Sequence, residues 1–195
     1  MSRAHVLDLV GTLARLGLAA VWLVSGTLKA IDLDQTVVAV RAYDVLPRAA
    51  VDVVAAVLPF FEIALGLLLL LGIGTRLVAV ISGGLLLVFI AGVAQAWARG
   101  LSIDCGCFGG GGAVAPGATA YVQEIVRDVG FLALAAWLVV RPHTLLSMDA
   151  RLTRGKDLTW VERHGASASG ARRRPRNGWP RPGSRFRRSA PTRRW

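Results

Sequence analysis

Cysteine is scarce in this chain: two among 195 residues, Cys105 and Cys107, with a single glycine between them. Structural zinc sites and iron–sulfur clusters usually draw on about four ligands, which two sulfurs do not supply. Histidine does not fill the gap, because His5, His143 and His164 are the only three and lie far from the pair in sequence. No metal is therefore expected. Acidic residues are also few, 12 against 23 lysines and arginines, but the imbalance is local. Residues 141–195 hold 15 of the basic and 3 of the acidic side chains, whereas residues 1–140 are close to neutral. Beyond about residue 153 aliphatic side chains nearly vanish and Gly, Ser, Pro and Arg take over. Such a segment cannot bury enough surface to offset its ordering entropy, so disorder is expected there. Its arginines suit anionic lipid better than a specific nucleic-acid partner, which is not expected.

What the rest of the chain has is apolar length. Hydrophobic residues make up 54% of the chain and the mean hydropathy is +0.52. Soluble chains sit nearer 45–50%, roughly, on a count that includes glycine. Four apolar stretches stand out, over residues 9–31, 49–71, 76–98 and 121–140. Each has the roughly 20 residues that a helix needs to cross a hydrocarbon core. Helix is the form expected, because lipid leaves open backbone groups unsatisfied. The first stretch is too long for a signal peptide, carries Arg15 inside and lacks an Ala-x-Ala cleavage site. The expected fold is all-α: a four-transmembrane-helix bundle over residues 1–150, followed by a disordered basic tail over 151–195.

Positive charge flanking the spans sets orientation. The basic tail puts both termini in the cytoplasm, and the loops over 32–48 and 99–120 then face outward from a bacterial cytoplasmic membrane. Cys105 and Cys107 fall in the second of these loops. Cysteines this close form a disulfide only if the backbone turns tightly, since bridged Cα atoms sit about 4.4–6.8 Å apart. Gly106 permits such a turn. A strained, exposed bridge is easily reduced and suits exchange chemistry better than bracing, and a ring this small adds little entropic stabilisation.

Charged residues inside spans are costly and usually face the bundle interior. Counting along the helices puts Lys29, Asp52, Gln95, Glu124, Arg127 and Asp128 near the outer end, level with the cysteine loop. Glu124, Arg127 and Asp128 share one helix face. Arg127, and Lys29 with it, are placed to favour a thiolate. The same groups would also serve as a charge network that only holds the helices together. Glu62 stands apart, deeper in the second span, as a carboxylate that must find a cation or a proton.

Five pieces of sequence stand in order along the chain: Ser25-Gly26-Thr27-Leu28-Lys29; Tyr43 with Leu46-Pro47; Pro59-x-x-Glu62 with Gly66; Asp104-Cys105-Gly106-Cys107-Phe108-Gly109; and Arg127-Asp128. Together they resemble the MauE (methylamine utilisation) family of DoxX-like four-helix membrane proteins. The resemblance covers about residues 8–142. It implies a membrane protein that supports disulfide formation or maturation of an extracytoplasmic client, in metabolism of the methylamine dehydrogenase kind. DoxX relatives add a link to quinone-coupled sulfur oxidation. The site residues expected on these grounds are Cys105, Cys107, Arg127, Lys29, Glu62 and Asp128. The partners expected are membrane lipid and a client thiol or disulfide. A membrane quinone is the expected cofactor of a thiol–disulfide oxidoreductase built this way. The rival readings are a non-catalytic assembly factor, whose loop only holds a client, and a small transporter lined by Glu62 and the outer charges.

Overall fold

The computed structural model describes residues 3–142, so the disordered tail expected over 151–195 lies outside the described residues, as does the end of the 1–150 domain. Among the described residues there are five helices: α1 (Arg3–Ile31), α2 (Leu33–Ala42), α3 (Arg48–Leu71), α4 (Thr75–Ala98) and α5 (Tyr121–Val140). A two-rung hairpin, β1 (Ile103–Asp104) with β2 (Gly112–Ala113), precedes α5. Helices α3, α4 and α5 match the expected second, third and fourth apolar stretches to within a residue.

Among the described residues, three helices are long and apolar enough to cross a membrane by length and composition: α1 over His5–Ile31, α3 and α4. Helix α5 falls short of that standard because Glu124, Arg127 and Asp128 all sit in its first eight residues. The outer loop over 32–48 is also not irregular as expected. It holds α2, whose start is capped by the Asp32 carboxylate accepting from the Gln35 N–H at 3.0 Å. That bond satisfies one of the amides left open in a first helical turn.

Helix α1 packs along α3, and α4 along α5, with α1 also touching α5; α3 and α4 meet more sparingly. Leu18, Trp22, Leu69, Leu86 and Leu138 form the main core. The Trp22 indole donates to Ser82 Oγ at 3.0 Å within it, which satisfies the ring N–H away from water. Large side chains such as Phe60, Leu77 and Val88 point outward. Apolar surface on this scale is costly in water and suits lipid.

Small residues set how near α1 and α3 come. A Cβ added at Gly26 would lie 2.7 Å from the Pro59 carbonyl oxygen, and one at Gly66 would lie 2.7 Å from Leu23 Cγ. Close backbone approach through small residues is a usual way of packing helices in a bilayer. Gly26→Ala is expected to cost about 1–3 kcal/mol, because the neighbours include backbone that cannot yield. Gly84→Ala, which would meet nothing within 4 Å, should be neutral or slightly stabilising. Unfolding of the two variants in detergent, followed by circular dichroism, checks the contrast.

Candidate functional site: a buried dithiol over an ion pair

The α1–α3 approach brings Lys29 to Glu62. Lys29 Nζ lies 2.8 and 2.9 Å from the two Glu62 carboxylate oxygens, and Glu62 is wholly buried. Counting along the helices had separated this carboxylate from the outer cluster. The lysine stem closes the gap in depth. Lys29 also donates to Ser25 Oγ at 2.6 Å, and its ammonium lies 5.6 Å from the centre of the Phe89 ring. Ser25 Oγ is 2.9 Å from Glu62 Oε2 and 2.7 Å from the Cys107 carbonyl oxygen, so its single proton serves one of them at a time. Lys29 reaches the same carbonyl at 3.4 Å. The ion pair thus forms a floor that holds the backbone of Cys107.

The β1–β2 hairpin pinches the cysteine loop at both ends, pairing Ile103 with Ala113 and Asp104 with Gly112. Within it Gly106 takes a left-handed conformation at φ 67°, and a Cβ there would meet Ala39 of α2 at 2.8 Å. Helix α2 therefore acts as a cover, and Gln35 fixes it by donating to the Gly111 carbonyl at 2.7 Å. Both thiols are free and both are buried, where an exposed bridge was expected. A glycine-rich loop reads as exposed in sequence. Here the helix inside the preceding loop lies over it.

The wall is α5. Arg127 Nη2 lies 3.7 Å from Cys105 Sγ, while Arg127 Nε donates to Asp128 Oδ1 at 3.0 Å and its guanidinium stacks 4.8 Å from the Phe108 ring centre. Asp128 thus orients the arginine. Glu124 Oε1 accepts the Cys105 N–H at 3.3 Å. Among the described residues, Glu124 Oε2 and Asp128 Oδ2 are buried without a hydrogen-bond partner. The Tyr43 hydroxyl donates to the Cys105 carbonyl at 3.2 Å. Arg99, bonded to Asp44 Oδ2 at 3.0 Å, and Gln95, bonded to the Tyr43 carbonyl at 3.1 Å, tie that segment to the end of α4. Asp52, expected at the same level, is exposed and lies 3.8 Å from Arg41.

The two thiols differ electrostatically. The Cys107 thiol, donating to Cys105, holds Cys105 below the ordinary thiol value. Burial opposes this, and the Cys107 N–H at 3.3 Å and Arg127 reinforce it. The same bond seen from Cys107, then burial, then the charge of Cys105, push Cys107 well above that value. Cys105 thus gives up its proton more readily than Cys107, which holds its own.

Asp104, Cys105 and Glu124 each bring one ligand atom within 4.8 Å of the others. Arg127 already sets a fixed positive charge against that sulfur, which disfavours a cation beside it. The structure brings together five of the six expected residues around the loop: Cys105, Cys107, Arg127, Asp128 and Lys29. It adds the sixth, Glu62, through Lys29. Ser25 and Tyr43 had no specific part assigned from sequence, and Glu124 only that of a carboxylate beside Arg127 on one helix face, not that of acceptor for the Cys105 amide. The i, i+4 spacing of Ser25 and Lys29 was the available signal for Ser25.

The sequence pattern of the family described as methylamine utilisation protein MauE matches residues 7–141. No curated protein and no solved structure matches the chain. With well over half its length inside that match, the whole cysteine loop included, the chain belongs to the MauE family of methylamine utilisation proteins, and its apolar helices make it a membrane protein.

Proposed function

We propose that this chain is a membrane thiol–disulfide exchange protein that forms disulfides in an extracytoplasmic client. The observation that carries this is the asymmetric pair: Cys105 beside Arg127 at 3.7 Å, one glycine from Cys107, whose carbonyl is held from below by Ser25 and Lys29. In the proposed topology α5 is a fourth span beside α1, α3 and α4 in the bacterial cytoplasmic membrane. Both termini are cytoplasmic, and the loop faces outward, where disulfides persist.

A client thiolate attacks Cys105 of the Cys105–Cys107 disulfide, and Cys107 leaves and takes up a proton. A second client thiolate then attacks the client sulfur of the mixed disulfide. Cys105 departs as a thiolate paired with Arg127, and the client keeps the new bond. A low-pKa thiol leaves faster, so the last step gains from the arginine. The protein ends as the dithiol, two electrons richer. Family membership favours a small, disulfide-rich subunit of a methylamine-oxidising enzyme as the client.

Cys107→Ser, reduced and mixed with such a subunit already carrying its disulfide, is expected to accumulate a mixed disulfide: the Cys105 thiolate attacks the client disulfide, one client thiolate leaves, and no Cys107 completes the exchange. It is visible as a reducible band, whereas Cys105→Ser accumulates none. The burial of both sulfurs, 9% and 8% exposed, is the observation that favours the rival, a non-catalytic assembly factor. That rival gains if neither variant captures the client while both still bind it.

A further inference from the structure

An apolar cavity of about 150 Å³ lies against the dithiol. Cys105, Cys107 and Lys29 line one side, Tyr43 another, and Leu58 of α3 and Phe89 of α4 the rest. It exists because α3 and α4, joined by the short turn through Gly72 and Gly74, pack on α1 and α5 more than on each other. At its rim Val45 is 55% and Val88 65% exposed. The mouth is therefore apolar and opens on surface that lipid covers in the proposed topology. A dry apolar cavity of this size takes up a single six-membered ring. A few polar groups in apolar walls is also the usual make-up of a small-molecule site. Burial, then the neighbouring Cys107 and Cys105, push the Tyr43 phenol above its usual value, so it stays a neutral donor.

The chain has no second cysteine pair to relay electrons. After each client the dithiol must hand two electrons to something other than a protein disulfide of its own. We infer that this cavity binds the ring of a lipid-soluble quinone, which accepts electrons directly from Cys105 and Cys107; this site assignment rests on the exchange reading above. Two S–H bonds break and one S–S bond forms. The two electrons and two protons convert the two carbonyls of the quinone to hydroxyls, so hydroquinone leaves. Ring carbonyls accept hydrogen bonds, and the Tyr43 hydroxyl on the cavity wall supplies one by turning its proton from the Cys105 carbonyl, while Lys29 adds positive charge beside it. The tail of the quinone leaves past Val45 and Val88 into lipid.

The test uses the full chain purified in detergent, fully reduced, with decylubiquinone as the probe and oxidised glutathione as an aqueous comparison. Disulfide is read by mass-tag alkylation, and quinone reduction by ultraviolet absorbance. The wild type should consume one quinone for each dithiol. Leu58→Phe fills the cavity and should slow oxidation by quinone about tenfold or more while leaving oxidation by glutathione unchanged. Val54→Phe, on the same wall, is the second variant should the first fail to fold. Quinone oxidation that is absent in the wild type, or equally fast in a folded Phe variant, overturns the cavity assignment while glutathione exchange keeps the underlying reading alive. If neither oxidant converts the dithiol to the disulfide, both fall.

Discussion

Glu62→Leu destabilises the helical domain by about 3–5 kcal/mol, the usual cost of removing one partner from a buried ion pair. The carboxylate is wholly buried and takes both of its contacts with the lysine below 3 Å. Without it the Lys29 ammonium keeps, among the described residues, Ser25 Oγ and the Cys107 carbonyl as hydrogen-bond acceptors. The loss therefore comes less from the missing attraction than from a charge left in an apolar setting. The double variant Lys29→Met/Glu62→Leu is expected to recover most of the stability, since an ion pair replaced by apolar groups of similar volume is often neutral. It should restore the loop only in part, because the Cys107 carbonyl keeps the Ser25 hydroxyl at 2.7 Å but loses Lys29. Denaturant unfolding in detergent gives the stabilities, and the alkylation rate of Cys107 reports the loop. Single substitutions whose effects simply add in the double would mean that Lys29 and Glu62 act independently, against the clamp.

Much of this architecture is legible in the sequence, because long apolar runs bounded by Gly, Pro and Arg carry their helix ends in plain view. The cysteine loop fell where expected, between α4 and α5. Helix α2 was missed although Asp32 followed by Gln35 is a capping pattern. Ten residues with Thr36, Val37 and Val38 in the middle gave little intrinsic helix preference to reveal it. Missing α2 hid the burial of the sulfurs, which depends on Ala39 lying over Gly106 and Gly111. The Lys29–Glu62 pair was hidden for a different reason. Counting residues gives the depth of a Cα, whereas a lysine stem moves its charge by a turn or more, and only Gly26 and Gly66 let α3 come near enough. Arg127 and Asp128 were legible as neighbours on one helix face. That Arg127 turns to the sulfur of Cys105, with Glu124 taking the Cys105 amide, needed the loop in three dimensions.

The asymmetry of the thiols has a direct kinetic signature. With iodoacetamide near neutral pH, the reduced protein should be modified at Cys105 ahead of Cys107 by about tenfold or more, since only thiolate reacts and each unit of pKa changes its fraction tenfold. The sign is fixed by the direction of the shifts. Cys105 sits below the ordinary thiol value, so its rate rises with pH and levels off early; Cys107 sits above, so its rate is still climbing in mild alkali. Among the groups that lower Cys105, the Cys107 thiol is the strongest and Arg127 acts after it. Cys107→Ala should therefore move the Cys105 midpoint upward further than Arg127→Met does, although both move it upward. Glu124→Gln should move it downward, because that carboxylate opposes the thiolate. An upward shift for Glu124→Gln, or none for Cys107→Ala, would show that the thiols are not coupled as described. Should the order hold, the exchange direction has a physical basis. The cysteine that leaves most easily is the one beside the arginine, so a client bonded to Cys105 is released oxidised, and the proton-holding Cys107 is the sulfur that closes the bridge again.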